Sequence, residues 1–459
     1  MTEIDRRTVA TQTIDVDEEQ QIEFVEAPPG VQPAEGLEDP TRTPAVGRRV
    51  PRPDSLPQVL GQLQYIDDLS FPGMLHAKVL RSRHPHARIV RVDVSQAAAM
   101  PGVLATLTGA EIPVNSFGPT FQDQPVLAAD KVRHMGDGVA AVAAETEQLA
   151  AEALQKIEVE YEVLPALLDP LEAMKTGAPR IHQERDNVYV RWHVRKGDVE
   201  QALAESDLVV EEHYSTQMVE HAMIEPHAAI ARWEPGNRLI VWSTLGRITL
   251  ARADLARVLS MPMNKIRVLS TQVGGNFGGK NEITVEPILA LLSKKARRPV
   301  KLAYTRQDEF VSSTTRHPFL LEYVTGVSAS GRIRGRKVRL VADGGAYCSW
   351  SETTVAKAVI MSAGPYMIDN IDAEGCAVYT NKTMTGAMRG FGVPQACFGY
   401  ESHMDTIAHQ LGMDPLEIRL LNALDEGSLS PTGQELQAVA VSDTLNVAAE
   451  RFGWKEWQR

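Results

Sequence analysis

The chain has 459 residues, a hydrophobic content of 43% and a formal net charge of −12. That length supports two or three domains with sizeable cores. The negative balance argues against nucleic acid as a partner, and without a run of about 18 apolar residues no membrane span is expected. The three cysteines, Cys348, Cys376 and Cys397, lie far apart. They form neither a zinc pattern nor an iron–sulfur pattern, which suits a reduced, cytoplasmic protein.

Residues 1–45 are acidic and rich in proline, as in "EAPPGVQPAEGLEDPTRTP". They read as a disordered or extended arm, and the opening stretch lacks the apolar segment of a secretory signal. Residues 46–170 read as a compact α+β domain. Ser95 is placed to cap a short helix that Pro101-Gly102 ends, and "VLATLT" follows as a strand. "VAAVAAETEQLAAEALQKIEVEYEVLP" then reads as strand, helix, strand. Leu149, Ala153 and Ile157 share a helical face, and Val159, Tyr161 and Val163 alternate. "DPLEAMKTGAPRIHQERDNVYV" reads as a linker. Residues 185–459 form a larger region in which strands such as "RLIVWST", "IRVLS" and "VKLAYT" mix with helices such as "LARADLARVLS". It has no internal repeat, and "LNVAAERFGWKEWQR" reads as a surface helix.

The most informative stretch is "STQVGGNFGGKNE", Ser270–Glu282. It follows a strand and precedes "EITVEPILALLSKKA", whose Ile283, Ile288, Leu291 and Leu292 suit a helix despite Pro287. Gly274, Gly279 and Lys280 match the start of a phosphate-binding loop, but Asn281 stands where that loop needs a hydroxyl for magnesium. No register satisfies G-x-G-x-x-G. The remaining readings are a tight structural turn or a backbone that approaches an anion or oxo group closely. Phe277 suggests a wall against something flat.

A second glycine turn, "GAMRGFGVPQA", spans Gly386–Ala396. The pair, GGxFGGK and RGFGxPQ, resembles the molybdenum hydroxylase family that includes xanthine dehydrogenase and aldehyde oxidase. "GQLQYIDDLSFPGMLHAKVLRS", "DQPVLAADKVRHMGDGVAAVAAET" and "VEHAMIEPHAAIA" match the same family in order. The resemblance covers roughly residues 45–459. It implies an α+β fold with an N-terminal α/β hammerhead domain followed by the first molybdopterin-binding domain. It also implies hydroxylation at an electron-poor carbon, with oxygen drawn from water and two electrons passed to molybdenum. By the same resemblance Gly275, Phe277 and Gly278 line the cofactor site, and the backbone amides of Phe277 and Gly278 approach an oxygen ligand of the metal. Arg389 and Gly390 approach it from the second turn, and Phe391 stacks on the substrate ring.

The chain departs from the family pattern in several places. It stops before the domain that carries the family's base glutamate, so no catalytic side chain is assigned here. The resemblance therefore implies a split enzyme, as in nicotinate dehydrogenase, or a fragment. Its expected partners are a second molybdopterin-domain subunit, an iron–sulfur subunit and an FAD subunit. The cofactor is molybdenum on molybdopterin, bare or as the cytosine dinucleotide. Three pocket positions depart from purine oxidisers: Leu245 replaces a glutamine, Asn281 replaces a glutamate, and Lys357 aligns with a substrate-binding arginine. The expected substrate is an N-heteroaromatic compound, with an aldehyde as the alternative and a non-catalytic scaffold as a second. His221, Glu225 and His227 carry metal-ligand side chains but are expected to form a buried structural network. Arg316-His317-Pro318 is expected to fix a turn, and "KKARRP" to be a solvated helix end.

Overall fold

The computed structural model describes residues 10–15 and 52–457. Two large sheets carry the fold. The first has seven strands, in the order 266–270, 238–243, 228–234, 300–303, 75–81, 138–144 and 103–108. It therefore runs across the division read from the sequence. Leu75 and His76, in the N-terminal region, pair in parallel with Val300 and Lys301.

The strand Gly138–Ala144 shows why this sheet holds together. Its sequence, GVAAVAA, contains no large side chain, and every residue from Val139 on is fully buried. Ala140 and Val142 point to one face and pack with Ala153 of the helix Glu147–Leu154 and with Ile157, which lies beyond that helix and not on the helical face expected for it. Ala141 and Ala143 point to the other and join the core built by Leu289 and Leu292 of the helix Glu286–Ala296. A strand covered by helices on both faces becomes a continuous apolar run.

The second sheet has six strands, in the order 10–15, 188–196, 370–379, 333–345, 319–327 and 208–215. Helices Ser351–Ile360 and Val393–Leu411 supply Val355, Val359, Ala396 and Met404 to its core. Residues 10–15 belong to the expected arm and pair in parallel with Val190–Arg195. The rest of residues 1–45 lies outside the described residues.

Three local readings need correction. Ser95 is the first residue of its short helix and not the cap, and its N–H donates to Asp93 Oδ1 at 2.9 Å. The expected linker is built into the fold. Asp169 caps a helix at Pro170–Ala173. Ile181 and Asn187 are buried, and Asn187 Nδ2 donates to Ala173 O and Pro179 O. The "KKARRP" cations are not simply solvated. Lys295 donates to Thr106 O and Arg298 to Gly73 O at 2.6 Å, which ties the helix end to the N-terminal region. The expected helix after the first glycine turn begins at Glu286, with Pro287 in its first turn where a missing N–H costs nothing.

The N-terminal region is also joined to the second sheet. The Tyr347 hydroxyl donates to Asp137 at 3.0 Å, inside a buried cluster that also includes the His134 ring at 3.0 Å from Asp137. Tyr347→Phe removes the donor and leaves the carboxylate short of a partner. The unfolding free energy is expected to fall by about 1–3 kcal/mol, read from urea denaturation.

Candidate functional site

The two glycine turns come from different sheets and meet. The first leaves the strand Ile266–Ser270 of the seven-stranded sheet. The second leaves the region after the strand Asn370–Tyr379 of the six-stranded sheet and ends at Gly392, the cap of the helix Val393–Leu411. Arg389 N–H donates to Phe277 O at 2.8 Å. A Cβ on Gly278 would lie 2.4 Å from Ala387 O, so only glycine lets the turns approach this closely. Phe277 and Phe391 both adopt φ +49°, a left-handed conformation that costs an aromatic residue about 1–3 kcal/mol. Each is flanked by glycines at positive φ: Gly275 and Gly278 in one turn, Gly390 and Gly392 in the other.

Buried polar side chains bolt the turns in place. Asn276 Oδ1 accepts from Gly278 N–H at 2.8 Å and Lys280 N–H at 3.3 Å. Lys280 is fully buried, and its ammonium meets Glu225 at 3.0 Å. The same Glu225 oxygen accepts from Gly274 N–H at 2.7 Å. Burial lowers the Lys280 pKa, and the Glu225 charge opposes that shift. A phosphate-loop lysine would face outward, so this inward ion pair removes the nucleotide reading. His227 faces Glu309 with one ring nitrogen at 2.9 Å and Gly279 O with the other at 3.1 Å. His221 Nε2 donates to Ala387 O at 2.8 Å. His221, Glu225 and His227 were expected to form one buried network; instead they make three separate contacts to the two turns, with His221 Nδ1 and Glu225 Oε1 left without a hydrogen-bond partner. Among the described residues the one group of side chains close enough to share a metal ion is Glu211, His213 and Glu322, on strands 208–215 and 319–327.

The faces of the turns that remain open carry the candidate binding groups. Phe277 is 48% exposed, and Arg389 and Gly390 are exposed. Among the described residues the Phe277 N–H has no hydrogen-bond partner. The Gly278 N–H, expected to face outward as well, is taken by Asn276. Phe391 meets Trp350 edge-on, with centroids 6.2 Å apart, and Lys357 Nζ sits 5.4 Å from the Phe391 centroid. Asn281 is partly exposed and stands beside Gly246. Leu245 does not belong to this face. Its side chain is 1% exposed and packs in the core of the seven-stranded sheet, with Ile283 and Val285 in the same cluster.

Glu282 is a group that its sequence position alone did not assign. The Ser349 hydroxyl donates to one of its oxygens, and the other is buried without a partner. Burial pushes its carboxyl up to about 7, and the nearby Asp254 and Asp123 charges push the same way. Ser349 itself is held at φ +46° beside Gly386, the start of the second turn.

Comparison with known proteins places this geometry. Residues 181–423 match the molybdopterin cofactor-binding domain, and residues 60–165 match the a/b hammerhead domain of aldehyde oxidase and xanthine dehydrogenase. The chain is 39% identical, over 88% of its length, to the nicotinate dehydrogenase large molybdopterin subunit of Eubacterium barkeri, and covers 96% of that protein. It is 40% identical, again over 88% of its length, to a probable xanthine dehydrogenase subunit of Bacillus subtilis, of which it covers 55%.

The chain belongs to the xanthine dehydrogenase and aldehyde oxidase family, as a molybdopterin-binding subunit. Two solved members superpose closely. The aldehyde oxidoreductase of Desulfovibrio gigas gives a TM-score of 0.86 at 29% identity, over 89% of this chain and 46% of that one. Quinoline 2-oxidoreductase from Pseudomonas putida 86 gives 0.83 at 32%, over 90% and 55%. The subunit therefore spans about half the length of several relatives and nearly all of one. Its residues fit the family's cofactor. An unpartnered N–H at Phe277, glycines that keep side chains away, and an exposed Arg389 suit an oxo-bearing, anionic group.

The subunit carries a pH signature at Glu282. Its folded pKa lies above the ordinary value of 4.5. Its neutral form therefore contributes fully below that value, and stability is lost as pH rises through about 7. Glu282→Gln keeps the neutral shape. Its Tm is expected to exceed that of wild type by more at about pH 8 than at about pH 5, measured by calorimetry. Parallel pH profiles would mean that the carboxyl ionises freely.

Proposed function

We propose that this chain is the substrate-facing half of a split molybdenum hydroxylase acting on an N-heteroaromatic ring. The observation that carries the reading is the locked pair of turns, which leaves the Phe277 N–H without a partner among the described residues and Arg389 exposed beside the half-buried Phe391. Coverage of 96% of a nicotinate dehydrogenase subunit supports the split arrangement.

When bound, molybdenum on its pterin supplies a two-electron acceptor and an oxygen drawn from water. The chain's own residues supply position. The Phe277 N–H and Arg389 would hold the cofactor, the N–H as a fixed dipole for an anionic oxygen and Arg389 as a cation for its anionic groups. Phe391 stacks on the substrate ring, its left-handed backbone presenting the side chain at the turn's apex. Lys357, over the same ring, selects an anionic substituent, and Asn281 lies along the rim. The base that deprotonates water is a glutamate of a second molybdopterin-domain subunit. Electrons leave through an iron–sulfur subunit and an FAD subunit, and the assembly works in the cytoplasm with molybdopterin, bare or as its cytosine dinucleotide.

Three measurements test this. The complex co-purified with this chain is expected to hold about one molybdenum and one pterin per copy, by elemental and fluorescence analysis; a complex free of both sinks the proposal. Arg389→Ala is expected to lower molybdenum content or turnover by about tenfold or more with little change in Tm. Lys357→Met is expected to lower the nicotinate-to-nicotinamide ratio of kcat/KM roughly 10- to 100-fold, as suits a charge-assisted contact of about 1.5–3 kcal/mol.

A further inference from the structure

Arg247 is a second cation beside this wall. It follows Gly246, whose N–H donates to Lys280 O at 2.8 Å and whose missing Cβ makes room for the Asn276 side chain. Arg247 is therefore tied to the first glycine turn. Its guanidinium lies 4.7 Å over the Trp350 ring. Trp350 meets Phe391 edge-on, and Lys357 lies over Phe391. The order across the site is cation, ring, ring, cation, and it links loops from both sheets.

Neither cation has a carboxylate within ion-pair distance among the described residues. Cations held on aromatic rings keep their charge available, and two of them on one aromatic wall favour an anion against it. A guanidinium adds a planar fork that matches a carboxylate better than an ammonium does. Trp350 Nε1 is buried without an acceptor, so no hydrogen bond to a protein group fixes the ring; the wall around it does.

We propose that Arg247, held in place by Trp350, is a specificity-determining residue that draws the carboxylate of a planar aromatic acid to the aromatic wall that also carries Lys357. This rests on the reading of Phe391 and Lys357 as the substrate wall, and it narrows the substrate class from N-heteroaromatics to their ring carboxylates. Arg247 contacts the substrate; Trp350 is a positioning residue.

The test uses the assembled complex and two readouts, calorimetric binding and kcat/KM, with nicotinate and nicotinamide as matched probes. Wild type is expected to bind the acid at least about tenfold more tightly than the amide. Arg247→Gln is expected to remove most of that preference, Arg247→Lys to restore part of it, and Trp350→Leu to narrow the acid-to-amide ratio in the same direction as Arg247→Gln. An unchanged acid preference in Arg247→Gln, with Lys357→Met losing it, overturns the role of Arg247 and leaves the Lys357 wall intact. Equal affinities for acid and amide in wild type overturn both. Acid-selective binding that depends on Arg247 without hydroxylation upholds this inference and sinks the proposed reaction.

Discussion

One hydrogen bond organises this molecule. Phe277 O accepts the Arg389 N–H, with the Gly278 backbone pressed against Ala387 O. Two separate sheets thereby present their glycine turns as one surface. The bond can form only if both backbones come within about 3 Å, which forbids a side chain at Gly278 and forces Phe277 and Phe391 into left-handed conformations. Strain of this kind persists only where the surroundings over-determine it.

The surroundings do so with buried ionic and polar groups. Glu225 answers both Lys280 and the Gly274 N–H, Glu309 fixes His227 against Gly279 O, and His221 holds Ala387 O. Burying an ion pair contributes little net stability, but removing one partner costs several kcal/mol. Such pairs make one backbone geometry far better than its neighbours. A binding surface built from two separate backbone turns needs that uniqueness more than it needs extra stability.

Much of this was legible in the sequence because glycine spacing is local information. The strand before the first turn, the helix after it and the pairing with RGFGVPQ all follow from short stretches. The structural role of His221, Glu225 and His227 was legible too, through the family likeness. What was not legible depends on direction in space. Lys280 looks like a phosphate ligand until its ammonium is seen pointing inward at Glu225. Leu245 aligns with a pocket position, yet an apolar side chain at the end of a central strand finds the core instead. Ser95 is not the cap because it is itself the first helical residue, its N–H taken by the Asp93 carboxylate. Trp350 and Arg247 carry no motif at all; only the folding of two distant loops onto each other brings them together.

The parallel pairing of Leu75 with Val300 has a consequence for how the chain reaches its native state. The two strands are separated by most of both regions, so their contact closes a very long loop. Parallel, non-local pairing of this kind forms late and slowly. Until residues 300–303 emerge from the ribosome and fold, the strand Leu75–Arg81 has an unpaired edge. During synthesis the N-terminal region is therefore an exposed template for wrong pairing, and its hammerhead is completed only by a strand made more than two hundred residues later.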